Sequence, residues 1–128
     1  MKLSLLVIRP VFAISTMKND APIPEWATSS DFYSITRTYE ELSIVCPQEN
    51  IPAEIKINKG WRCLKVQGPL GFDIVGILAS LSMPLASEGI SIFVFSSYDT
   101  DFIMVKNYDL EKAMEVLRKA GHTVEHQL

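Results

Sequence analysis

The chain has 128 residues, 48% of them hydrophobic and 21% charged, with 12 basic against 15 acidic side chains and a net charge of −3. That length suits one compact domain or two small units sharing a core, and the apolar share lets a core form without disulfides or metal. A mildly acidic chain lacks the basic face of a nucleic-acid binder, and the composition excludes disorder, collagen and coiled coil.

The opening run Leu3 to Ile8 reads as a buried strand that Val11 to Ile14 extends. Arg9-Pro10 interrupts it too early for the apolar core of a signal peptide, and no apolar stretch reaches the 18 residues of a membrane span, so a cytoplasmic protein with no membrane association is expected. Met17 to Ser30, with Pro22 and Pro24, reads as a loop with one helical turn near Glu25-Trp26-Ala27. Phe32 to Thr38 and Leu42 to Cys46 are rich in aromatic and β-branched residues and pair as a hairpin, followed by a loop over 47–59 with at most a short helix. Cys46 and Cys63 form neither a CxxC pair nor a Cys/His cluster, so both are read as reduced, half-buried strand residues, with no metal and no cofactor.

In the second half, Trp61 to Val66 reads as a strand and Gly68-Pro69-Leu70-Gly71 as a turn. A helix follows with an apolar stripe of Ile74, Val75, Leu78, Leu81 and Leu85. Asp73 is placed as its N-cap, with Phe72 and Ile77 as a hydrophobic staple, Pro84 as a kink and Gly89 as its left-handed end. Ile90 to Phe95 and Phe102 to Val105 read as apolar strands of the core, joined by the polar run Ser96-Ser97-Tyr98-Asp99-Thr100-Asp101. Asp109 caps a last helix with Leu110, Ala113, Met114 and Leu117 on one face, Gly121 ends it, and Thr123-Val124-Glu125 is a short strand. His122 and His126 lie beyond that glycine and read as a solvated strand end.

From Trp61 onward the order is β-α-β-β-α-β, an α+β ferredoxin-like unit. A shift of 60 positions lays the halves over one another: Lys2 to Val7 falls on Arg62 to Gln67, Phe32 to Arg37 on Ile92 to Ser97, and Leu42 to Val45 on Phe102 to Val105. The chain is therefore read as two such units in tandem, 1–60 with eroded helices and 61–128, packed as one body.

No nucleophile elbow, P-loop or HExxH is present. Two segments carry potential chemistry. The turn and helix start Leu70-Gly71-Phe72-Asp73-Ile74 offers backbone N–H groups to an anion such as a carboxylate, and equally reads as an ordinary capped helix. The run Ser97-Tyr98-Asp99-Thr100-Asp101, with its two carboxylates, offers acceptors to an ammonium or guanidinium, and equally reads as a hairpin turn. Together they supply what a free amino acid requires.

Gly60-Trp61-Arg62-Cys63-Leu64-Lys65-Val66, Gly68-Pro69-Leu70, Gly76-Ile77-Leu78-Ala79-Ser80, Pro84-Leu85-Ala86, and Gly89-Ile90-Ser91-Ile92-Phe93 through Asp101 resemble small stand-alone ACT-domain proteins. This branch includes the regulatory ACT domains of aspartate kinases and the Castor-type cytosolic arginine sensors. Thr36-Arg37-Thr38 and Glu41-Leu42-Ser43-Ile44-Val45 resemble the first-half signature of the family. The resemblance implies tandem ACT units that associate side by side, usually as homodimers, and bind a small ligand, most often an amino acid, at an ACT–ACT interface. The implied contacts are Leu70, Gly71, Phe72, Asp73 and Ile74, with Gly89 and Ile90 on the facing side and Asp101 helping to hold the ligand. The sensors carry four ACT units and this chain about two, so a second subunit is expected to complete the pocket. Function is thus expected to be regulatory and non-catalytic. The alternative is a ligand-free structural dimerisation module, and an acyl-phosphate hydrolase on the same fold lacks a convincing Arg/Asn site.

Overall fold

The computed structural model describes residues 1–127; Leu128, the last residue of the second expected unit, lies outside the described residues. Seven strands and two α-helices follow in the order β1 (Ser4–Met17), β2 (Ser34–Arg37), β3 (Leu42–Pro47), β4 (Ile57–Val66), α1 (Ile77–Ser87), β5 (Ile92–Ser96), β6 (Asp101–Lys106), α2 (Leu110–Lys119) and β7 (Thr123–His126). Short 3-10 turns occupy Glu25–Thr28, Gln48–Asn50 and Asn107–Asp109. Two compact units result, Pro10–Trp61 and the stretch from Arg62 on, but the second also takes in Met1–Arg9. A simple cut at residue 60 therefore misassigns the first nine residues.

In the unit that begins at Arg62, the strand order is β5-β6-β4-β1-β7. β5 and β6 pair antiparallel from Ile92↔Val105 to Ser96↔Asp101, and β7 runs parallel to β1 from Ser4↔Thr123 to Val7↔His126. The start of the chain thus lies between β4 and β7, the two strands that neighbour each other in a lone β-α-β-β-α-β unit. The amide of Thr123 donates to the Leu3 carbonyl at 2.9 Å and that of Gln127 to the Val7 carbonyl at 2.9 Å. One core joins Leu5, Val7, Leu64, Val66, Ile103 and Val105 of the sheet to Ile77, Leu81 and Leu85 of α1 and Leu110, Ala113, Met114 and Leu117 of α2. The α2 face is the one its spacing predicts, although Asp109 makes no side-chain cap bond.

α1 differs from its expected form. It starts at Ile77, three to four residues later than the apolar stripe suggests, because Gly76 takes a left-handed conformation (φ 85°) and fixes the N-terminus there. Ile74 and Val75 consequently lie in the preceding loop and are exposed, and Asp73 is not the N-cap. The helix continues through Pro84. A proline has no N–H for the carbonyl four residues earlier, here that of Ser80. The His122 ring supplies the missing partner, with Nε2 at 3.2 Å from the Ser80 carbonyl. Its Nδ1 accepts the Leu3 amide at 3.0 Å, so the ring is the neutral tautomer protonated on Nε2. With 4% of its surface exposed, His122 is a buried bridge and not a solvated tail residue; only His126 is exposed.

β5 also departs from expectation. Its apolar residues are half-buried, with Ile92 and Val94 against the core. Phe93 and Phe95 lie 6.3 Å apart, and Phe95 stacks on Phe102 at 5.1 Å.

In the unit Pro10–Trp61 the strand order is β2-β3-β1-β4. β2 and β3 form the expected hairpin, Ser34↔Val45 to Arg37↔Leu42, and β3 pairs antiparallel with β1 from Phe12↔Pro47 to Met17↔Leu42. Pro10 falls between the β1 residues paired with β7 and those paired with β3, where it removes no donor from either ladder. Ala27, Leu42, Ile44 and Cys46 make the core, with Met17, Trp26, Ile35 and Ile51 against it. Shifted by 60 positions, the 3-10 turn Glu25–Thr28 falls on the end of α1, and Gln48–Asn50 falls on the 3-10 turn Asn107–Asp109 and the first residue of α2. This unit holds no α-helix, so the first repeat has lost both helices of the second.

Both cysteines are fully buried and unpaired, deeper than the half-buried sites expected of them. Burial pushes the Cys46 thiol from 9.0 up to about 11 and the Cys63 thiol up to about 12, because the interior does not solvate a thiolate. The unfolded chain releases these protons first, so the stability that the neutral thiols contribute is complete below pH 9.0 and is lost as pH rises towards 11 and 12. The difference in unfolding free energy between the wild type and a Cys46→Ala, Cys63→Ala variant is expected to stay constant below about pH 8.5 and to fall above it, as read by urea unfolding. His122→Ala leaves the Leu3 amide and the Ser80 carbonyl without the ring and is expected to cost about 3 kcal/mol, a fall in Tm of roughly 10 °C by calorimetry.

Candidate functional site

The loop between β4 and α1 and the turn between β5 and β6 meet in the unit that begins at Arg62. They line a cavity of about 390 Å³ with Leu70, Gly71, Phe72, Ile74, Gly76, Ile77, Leu78 and the six residues Ser96 to Asp101. The size lies within the range of small-ligand pockets. The two chemistry-bearing segments singled out in the sequence are therefore brought to one place.

Backbone contacts fix their approach. Leu70 N–H donates to the Asp99 carbonyl at 2.7 Å, and the Thr100 hydroxyl donates to the Val66 carbonyl at the end of β4. Within the turn, Ser97 N–H donates to the Thr100 carbonyl at 2.8 Å. A Cβ on Gly68 would stand 2.9 Å from Leu70 N and 3.1 Å from the Asp99 carbonyl oxygen, so only glycine fits between the segments without a backbone shift.

Two complementary charges face the cavity. On one side, α1 begins at Ile77 behind Gly76, which has no side chain to cap it. The first amides of a helix have no acceptor within it, so Ile77 and Leu78, both lining residues, present the positive end of the helix. On the other side, Asp101 at the start of β6 is half-buried and accepts the Ser96 hydroxyl at 2.5 Å, which orients its carboxylate. Asp99 supplies a second carboxylate, more exposed. The lining includes no basic side chain. At the rim, Phe72 and Tyr98 meet edge to face at 4.9 Å, yet are 77% and 80% exposed.

Three of the expected site residues lie outside this lining. Asp73 stands beside Gly71, where its Oδ1 would be 2.6 Å from a Cβ on that glycine. Gly89 follows the end of α1, and Ile90 is in the core with its amide on the Leu85 carbonyl at 3.0 Å. The amide of Ile74 is also spent, on the Gly71 carbonyl at 3.2 Å. The helix-start amides in the lining are those of Ile77 and Leu78, missed because Asp73 carries the stronger cap signal in sequence. Ser96, Gly76, Ile77 and Leu78 complete the lining. Ser96 opens the polar run, whereas Gly76 sits inside an apolar stripe that masks it. Among the described residues no group of three or more His, Cys, Asp and Glu side chains could hold a metal, and no helix is long and apolar enough to cross a membrane.

Two ferredoxin-like repeats, the second with a cavity between its first β-α loop and its central hairpin turn, define a regulatory-domain architecture of the ACT type. The chain belongs to the ACT domain family, whose model matches residues 56–119; a second model, of an N-terminal domain, matches 11–54. It is similar to the human cytosolic arginine sensor for mTORC1 subunit 1, 28% identical over an alignment of 116 positions that covers 84% of this chain and 35% of the sensor. The chain spans about a third of the length of the curated relatives it matches. A solved structure from Agobacterium tumefaciens is 40% identical, with a TM-score of 0.94 over 100% of this chain and 96% of that one. The regulatory subunit of aspartate kinase from Thermus flavus shares the fold at a TM-score of 0.62 and 12% identity, over 94% of this chain and 97% of that one.

Gly68→Ala forces the loop away from the turn. It is expected to break the Leu70–Asp99 hydrogen bond and to lower stability by about 2 kcal/mol, measurable as a Tm shift together with loss of Leu70 amide protection.

Proposed function

We propose that this chain is a non-catalytic, cytoplasmic regulatory protein that binds a free amino acid in the cavity between the β4–α1 loop and the β5–β6 turn. The observation that carries the reading is the pairing of an uncapped helix start with an oriented carboxylate in one lining. The amides of Ile77 and Leu78 hold the ligand's carboxylate, and Asp101 accepts from its ammonium, with Ser97, Tyr98, Asp99 and Thr100 around it. Leu70, Gly71, Phe72 and Ile74 form the wall on the loop side. The similarity to the human cytosolic arginine sensor supports an amino acid as the ligand class.

A second subunit completes the site in this reading. Ile74, Val75 and Leu78 expose apolar surface at the cavity and its loop, as an interface would. Binding across a homodimer then favours one arrangement of the units, and that population shift is the signal. The same exposed surface favours a second reading, a ligand-free association module.

Thermal unfolding in a panel of free amino acids separates the two. A ligand at 100 times its Kd stabilises the fold by about 2.7 kcal/mol, so a selective rise in Tm is expected with one or two members. No rise with any member, with a dimer that persists on dilution, supports the association module. Asp101→Asn keeps the Ser96 contact but removes the charge, and is expected to weaken binding of the active amino acid roughly 10- to 100-fold by calorimetric titration.

A further inference from the structure

We propose that Thr100 is a positioning residue that clamps the β4–α1 loop to the β5–β6 turn, so that the two sides of the cavity move as one unit. Its ligand consequence rests on the function proposed above; the clamp itself does not.

Thr100 is 5% exposed although it sits in a turn whose neighbours Ser97, Tyr98 and Asp99 are all exposed. Its hydroxyl does not serve its own turn, as a threonine in a tight turn commonly does. It donates across 34 residues to the carbonyl of Val66, the last residue of β4 and itself fully buried. The Ser97 hydroxyl, 3.3 Å from the Thr100 carbonyl and 3.4 Å from its amide, supports the turn locally instead. Four residues past Val66, Leu70 N–H reaches the Asp99 carbonyl at 2.7 Å, and between these two bonds Gly68 passes so close that a Cβ there would stand 3.5 Å from Thr100 Cβ. Loop and turn are thus stitched at Val66–Thr100 and Leu70–Asp99. Beyond that seam, residues 71–75 carry no regular structure, and Phe72 reaches Tyr98 across the rim. The seam is the anchored base of the cavity, and the wall above it takes its position from there.

Amide hydrogen exchange by NMR on the full chain tests this with Thr100→Val, which keeps the shape but removes the hydroxyl, and Thr100→Ser, which restores it. Leu70 and Ser97 amides are expected to exchange roughly tenfold faster in Thr100→Val, with α2 amides such as Leu117 unchanged, and to recover in Thr100→Ser. Unchanged Leu70 protection in Thr100→Val overturns the clamp. Uniform loss across both helices, or no rescue by serine, shows a general packing role and overturns it equally. In the wild type the Leu70 and Ser97 amides should open together; independent opening also overturns it. L-arginine serves as the ligand probe alongside: no Tm shift in the wild type counts against arginine as the ligand and leaves the exchange result to decide the clamp, whereas a wild-type shift that persists undiminished in Thr100→Val overturns the clamp's bearing on binding.

Discussion

One imidazole joins three segments that are remote in sequence. His122 accepts the amide of Leu3 and faces the carbonyl of Ser80, 119 and 42 residues away. The first bond sets the opening strand beside β7, and the second satisfies the carbonyl that Pro84 orphans in α1. Neutral imidazole is suited to this because it donates from one nitrogen and accepts at the other. Both bonds add to what backbone ladders and core packing already hold: β1 beside β7, and α1 over the core.

From that frame follows the cavity. α1 is held along Ile77, Leu81 and Leu85, so its start cannot drift, and Gly76 ends the preceding loop in a conformation that side-chain-bearing residues rarely adopt. A helix that begins on glycine has no side-chain oxygen for its first amides. In an ordinary helix this is a small cost in stability; here the open amides face a lining that carries carboxylates and no basic group. The uncapped start breaks a local capping rule beside the cavity.

The two repeats differ in what they offer to a ligand. The Pro10–Trp61 unit holds no α-helix, only 3-10 turns of four and three residues, too short to present a helix start. Its polar hairpin is used internally: Thr38 Oγ1 accepts the amides of Glu40 and Glu41, and Arg37 holds the carbonyls of Asn19 and Ala21. The corresponding turn of the second repeat also bonds within itself, but its Asp99 carbonyl takes the Leu70 amide of the loop, and Asp99 and Asp101 line the cavity.

Much of this was legible in the amino-acid order. Alternating and continuous apolar runs located the strands, the face of α2 was read without error, and the polar run 96–101 together with the turn at 68–71 marked both sides of the cavity. These features are encoded by neighbours a few positions apart. What the tertiary structure alone decided involves partners separated by most of the chain. Asp73 had every local mark of a cap, yet the helix starts at Ile77, where the left-handed Gly76 ends the loop and Ile77 meets the core. His122 followed a helix-ending glycine and looked solvated until Leu3 and Ser80 closed around it. Thr100 was one hydroxyl among four, and only the approach of Val66 set it apart. Sequence determined the local elements and the residue types that could bind; the pairing of distant backbone groups determined which of them face the cavity.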